Sequence, residues 1–119
     1  MLNQIEAQKS EAITHITMQA GNYVNYPISG DKVTIIYEGK MKKKENTHSF
    51  INLDTPVEIT IGNSDIILGL SLGIIKMSLG ETAIIEVPYQ LAYGEDGNKN
   101  LGILPRTDLI YKVSLIKVN

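Results

Sequence analysis

Asn63-Ser64-Asp65-Ile66-Ile67-Leu68-Gly69-Leu70-Ser71-Leu72-Gly73-Ile74-Ile75-Lys76-Met77-Ser78-Leu79-Gly80 is the internal stretch whose apolar residues recur at helical spacing. Ile66, Ile67, Leu70, Ile74 and Met77 fall on one face, Asn63 to Asp65 offer N-cap chemistry, and Gly80 supplies a terminator. One short amphipathic helix is predicted. Its apolar part is too short, and too broken by Gly69, Gly73 and Lys76, to cross a bilayer.

Outward from that helix, the pattern changes to strict alternation, the period of half-buried strands. Between Asp108 and Val118, Leu109, Tyr111, Val113 and Leu115 share one face, while Ile110, Lys112, Ser114 and Ile116 share the other. Val33, Ile35 and Tyr37 form a second such face, Val57, Ile59 and Ile61 a third, and Ala83, Ile85 and Val87 a fourth, with Ile13 to Gln19 a weaker strand. Residues 1–12 read as a polar N-terminal extension and 13–119 as the folded domain. Several strands and one helix predict an α+β domain, an antiparallel sheet wrapping its apolar face around the helix. The natural ligand site is the concavity between them.

With 119 residues, 43% of them hydrophobic, the chain holds one core. Its 11 basic and 13 acidic residues give a net charge of -2, which lacks the positive field that phosphate-backbone binding needs, so nucleic acid is not an expected partner. Cysteine is absent, and the N-terminus has no apolar run of signal or membrane length, so a soluble cytoplasmic protein that engages no membrane is expected. His15 and His48 are the sole imidazoles, far apart in sequence, and no metal site or cofactor is expected. Lys40, Lys42, Lys43 and Lys44 read as a solvated hairpin tip, Asp31 and Asp108 as turn and strand-entry residues, and Glu81 as the start of a solvated strand edge.

From Thr17 onward the order of motifs resembles the FKBP family of prolyl isomerases, the immunophilins that bind the macrolides tacrolimus and rapamycin. The resemblance is carried by Gly30-Asp31-Lys32-Val33, Ile36-Tyr37-Glu38-Gly39, Pro56, Ile61-Gly62, and Ile66-Ile67-Leu68-Gly69. It continues through Gly73, Met77-Ser78-Leu79-Gly80-Glu81, Val87-Pro88, Leu91-Ala92-Tyr93-Gly94, Gly102-Ile103-Leu104-Pro105 and Asp108-Leu109-Ile110-Tyr111. This likeness implies an FKBP-like antiparallel half-barrel of five or six strands around a short helix, acting as a monomer on X-Pro bonds of peptide or protein clients. It also implies a pocket lined by Tyr37, Val57, Ile66, Ile67, Leu70, Tyr93, Ile103, Leu104 and Tyr111. Within it, the Ile67 amide bonds a ligand carbonyl, Tyr93 supplies a loop hydroxyl, Tyr37 joins them as a catalytic side chain, and Ile103-Leu104 forms a flap.

Three positions depart from the family pattern. Leu70 stands where most active members place a tryptophan floor. The family's Phe-Asp pair aligns either with Thr47-His48 or with Phe50-Ile51, and in both cases the carboxylate is missing. The loop from Gly94 to Gly102 is slightly longer than usual. Weakened isomerase activity and weak tacrolimus or rapamycin binding are therefore expected. The alternative is a non-catalytic binding or chaperone module that holds proline-containing segments in the same groove.

Overall fold

The strand with the cleanest alternation becomes the centre of the sheet. A computed structural model describes residues 8–9, 11–42, 48–64 and 66–119. Its strands are β1 (Thr14–Gln19), β2 (Lys32–Met41), β3 (His48–Thr60), β4 (Thr82–Val87) and β5 (Leu109–Val118), and helix α1 (Leu68–Ile74) lies between β3 and β4. All pairings are antiparallel, in a five-stranded sheet of order β1-β4-β5-β2-β3. Along β5, Leu109, Tyr111, Val113 and Leu115 are buried, the face that the alternation predicts. Val33 and Ile35 of β2 and Ala83, Ile85 and Val87 of β4 join them in one core. No helix among the described residues is long and apolar enough to cross a membrane.

Helix α1 fills the concave side, and its glycines set how close it comes. A Cβ on Gly69 would sit 2.2 Å from Val87 Cγ1, and one on Gly73 would sit 2.6 Å from Ile85 Cγ2. Absence of side chain at these two positions thus permits the helix backbone to lie directly on β4. The helix is shorter than its apolar spacing predicts. Its N-cap is Ile67, with extended backbone and no side-chain cap. The chain from Asn63 to Ile66 is occupied by turns instead: Asn63 N–H donates to Thr60 and Ile66 N–H to the Asn63 carbonyl, while Asp65 lies outside the described residues. At the other end Ile75 closes the helix, so Met77 packs in the core from the turn that follows.

Glu81 corrects another expectation. It is only 3% exposed rather than part of a solvated edge. Its carboxylate accepts from Thr17 Oγ1 at 2.9 Å and from the Ser78 amide at 3.1 Å, and it pairs with His15 Nε2 at 2.6 Å. Ser78 Oγ in turn accepts from the Tyr23 amide. One buried carboxylate therefore ties edge strand β1 to the turn before β4 and, through Ser78, to the segment after β1. Asp31 and Asp108 do serve turns: their carboxylates accept from the amides of Ile28 and Tyr89. Lys42 pairs with Glu86 and Lys40 lies 3.8 Å from Glu38, whereas Lys43 and Lys44 fall outside the described residues.

Candidate active site

Strand register brings the aromatic residues together. Gly39 of β2 lies opposite Tyr111 of β5 on one side and Ile51 of β3 on the other. A Cβ on Gly39 would come 2.5 Å from Phe50 Cζ and 2.8 Å from Tyr111 Cε1, so the two rings close over the space that glycine leaves. Phe50 meets Tyr111 edge-on, with centroids 5.8 Å apart at 87°, and Tyr37 lies 6.1 Å from Tyr111 at a tilt of 39°. These are favourable aromatic geometries. They form one wall of a small concavity.

The helix entry forms the second wall, through Ile66, Ile67 and Leu70, and the β4–β5 loop closes it with Tyr93 and Leu101. Ile51 completes the lining, and the free room is about 40 Å³. Among the described residues lining it, there is no carboxylate and no cation. Roomier hollows include one of about 480 Å³ beside Pro88 and Leu91, one of about 290 Å³ over β2, β3 and β5, one of about 160 Å³ at Ile61, Leu68 and Ile75, and one of about 150 Å³ at Glu86, Pro88 and Asp108. None of them gathers the three tyrosines against the helix entry, so the smaller one is the candidate site.

Burial sets the protonation of its tyrosines. Burial raises the Tyr37 pKa above the usual tyrosine range, with Tyr93 adding to the effect, and burial likewise raises Tyr93. Tyr111 is raised furthest, first by burial and then by its two tyrosine neighbours. All three remain neutral donors at physiological pH. Among the described residues none hydrogen-bonds their hydroxyls, and none accepts from the Ile67 N–H. The site thus combines unspent donors with apolar walls, an arrangement suited to gripping a peptide carbonyl beside an apolar ring. The described residues contain no cluster of three or more groups able to hold a metal ion.

Of the side chains that the resemblance places in the pocket, Tyr37, Ile66, Ile67, Leu70, Tyr93 and Tyr111 do bound this concavity. Val57, Ile103 and Leu104 do not. Val57 pairs with Ile35 beyond a register shift in β2–β3 and packs half-buried on the core. The amide and carbonyl of Ile103 are both bonded to Asn98, which accompanies its side chain's burial in the core, and Leu104 stands 53% exposed. Phe50 and Ile51 occupy the concavity where the sequence left two alignments open, and Thr47 lies outside the described residues. Leu101 also lines the hollow, without a motif in the sequence that marks it. The available signal was that it is the single apolar side chain between Gly94 and Gly102.

Residues 24–116 match the model of the FKBP-type peptidyl-prolyl cis-trans isomerase family. FK506-binding protein 1 of Saccharomyces cerevisiae is 36% identical over 99 residues, spanning 83% of this chain and 86% of that protein. A peptidyl-prolyl cis-trans isomerase of Schizosaccharomyces pombe is 32% identical over 102 residues, 86% of this chain and 90% of its own. Among solved structures, the N-terminal domain of FKBP42 from Arabidopsis thaliana superimposes with a TM-score of 0.81 at 27% identity, covering 92% of this chain and 87% of that one.

Proposed function

The chain belongs to the FKBP-type peptidyl-prolyl cis-trans isomerase family, and from that premise we propose that it isomerises X-Pro bonds in the concavity between the helix entry and β2, β3 and β5. The observation that carries this reading is the convergence of neutral, unpartnered donors on a hollow without a charged side chain. Rotation about an X-Pro bond is opposed by amide resonance, with a barrier of roughly 18–20 kcal/mol. The twisted amide carries less charge separation than the planar one, so apolar walls favour it over the ground state. The Ile67 N–H and the Tyr93 hydroxyl each donate to a substrate carbonyl and hold the peptide in a turn, while Tyr37, Tyr111, Ile66 and Leu70 surround the ring. An acceleration of a hundred-thousand-fold requires only about 7 kcal/mol, which positioning and desolvation reach without a nucleophile. The acting domain is residues 13–119, a boundary supported by the buried Ile13, with 1–12 an extension.

Reduced activity and weakened grip on FK506 (tacrolimus) or rapamycin follow from Leu70 as floor and from Ile51 where a carboxylate is lacking. A leucine floor offers less contact to a prolyl ring than an indole does. The tight hollow also gives weight to a second reading, a module that binds proline-containing segments at its mouth without turning them over. Tyr93→Phe decides between them in a proline-limited isomerisation assay. Isomerisation through this site predicts a loss of about tenfold in kcat/KM, the worth of one such hydrogen bond, with the melting temperature unchanged. Peptide binding with no turnover in the unmutated protein would establish the binding module instead.

A further inference from the structure

A helix lying on a single sheet ordinarily turns a polar face to water, and α1 has none to turn. No charged residue occurs from Ile66 to Ile75, and the one polar side chain among them, Ser71, is spent in accepting from the Gly62 amide at 3.0 Å. The segment after β1, from Ala20 to Gly30, is equally free of charge. The two run side by side. The Tyr23 amide donates to Ser78 Oγ and the Leu79 amide to the Asn25 carbonyl, just beyond the helix, while Ser29 shares a groove with Ile61, Leu68, Leu72 and Ile75. That groove measures about 160 Å³, and no charged side chain among the described residues lines it. At ~10–15 Å³ of such space per water, it admits an aliphatic side chain. It shares no residue with the isomerase hollow.

Beside the groove stand apolar projections: Tyr23, Val24, Tyr26 and Ile28 are 67%, 75%, 46% and 67% exposed, and Leu68 at the groove itself is 40% exposed. They are held in place. Tyr23 keeps a left-handed φ of 56°, a costly conformation without glycine, and Asn22 fixes it by accepting from the Val24 and Asn25 amides at 2.9 and 3.0 Å. Pro27 is fully buried between the exposed Tyr26 and Ile28, and the Ile28 amide is tied to Asp31. A display fixed in advance loses little freedom on docking. We infer that this face receives a second copy of the chain, in a closed twofold dimer that departs from the monomer the resemblance implies. Groove and projections lie on one face, so each copy can seat an aliphatic projection in the groove of the other, which is the self-complementarity that an isologous contact needs. Without charge on either segment, two identical faces meet with no like-charge repulsion between them. The five side chains expose on the order of 500 Å², against ~800 Å² per partner in a standard interface, which suits a weak and reversible dimer.

Sedimentation equilibrium of the full chain, from about 1 μM to about 1 mM, tests the inference. The unmutated chain is expected to pass from monomer to dimer across that range. Val24→Glu and Ile28→Glu are each expected to raise the dissociation constant about tenfold or more, since twofold symmetry places the new carboxylate against an apolar partner surface twice. Both positions are exposed, so melting temperatures at low protein concentration should stay unchanged. Ile116→Glu, a matched change at an exposed position of β5, should leave association intact. A chain that stays monomeric throughout overturns the inference and leaves the face to a partner of another sequence. Association that Ile116→Glu abolishes and the two loop variants spare, or growth beyond a dimer, overturns it as well. None of these outcomes bears on the isomerase reading.

Discussion

Near the Leu115 end of β5 the Glu81 carboxylate receives His15, Thr17 and the Ser78 amide, whereas near Tyr111 the hydroxyls of three tyrosines and the Ile67 amide meet no described partner. Both regions bury polar groups against the same sheet. At the first, the donors meet an acceptor within the chain, so the network holds the fold. At the second, the groups stay neutral and their capacity is left for a peptide; no fully buried side-chain polar atom among the described residues lacks a partner, so these hydroxyls open onto the hollow between aromatic and aliphatic walls. A satisfied buried network stabilises the fold; donors left open at a concavity are what a binding site offers.

The strongest way to break this contrast is Glu81→Ala. It strands the buried Ser78 amide and takes the acceptor from His15 and Thr17, so a loss of about 2 kcal/mol is expected in chemical denaturation. Isomerase turnover per folded molecule should stay as it was, because the site shares no residue with the network. A matching loss of kcat in the folded fraction would show that the two regions are coupled.

A smaller effect is expected from Leu70→Trp, which sharpens the contrast from the other side. An indole exceeds the room available, so the single variant should lose about 1–2 kcal/mol of stability through overpacking. Combined with Leu101→Ala the loss should largely disappear and tacrolimus should bind roughly tenfold more tightly, an aromatic floor gaining about 1.4 kcal/mol. Calorimetric titration and thermal melts of the two single variants and the double variant measure that coupling. Strict additivity would show that Leu70 and Leu101 do not share the hollow.

The smallest effect concerns pH. Burial raises the pKa values of Tyr37, Tyr93 and Tyr111 in the folded chain, while in the unfolded chain they ionise near ~10. Their contribution to stability is therefore complete below about pH 10 and is lost progressively as pH rises above it, since the unfolded state releases protons that the folded state keeps. Denaturation midpoints should be level from neutrality to about pH 9.5 and decline beyond, with a shallower decline in Tyr111→Phe. An identical alkaline slope in Tyr111→Phe would exclude Tyr111 as a source.

Much of this architecture was legible in the residues. Alternation from Leu109 to Leu115, and its counterparts at Val33 and Ala83, assigned strands and inner faces, because successive strand side chains point to opposite sides by covalent geometry alone. Tyr37, Tyr93, Tyr111 and the Ile66-Ile67-Leu70 group were legible through their matched spacing. What tertiary structure decided depends on partners distant in the chain. Glu81 reads as a surface charge until β1 brings His15 and Thr17 to it across 66 and 64 positions. Phe50 reaches the site because the β2–β3 register sets its ring over Gly39. The helix begins at Leu68 because the chain from Asn63 to Ile66 is drawn into turns that close β3, and Leu101 enters the hollow because Asn98 folds its loop back on Ile103. Local periodicity specifies an element and its buried face; whether a polar group is paired, or a hollow is filled, is settled only when strands and loops far apart in sequence meet.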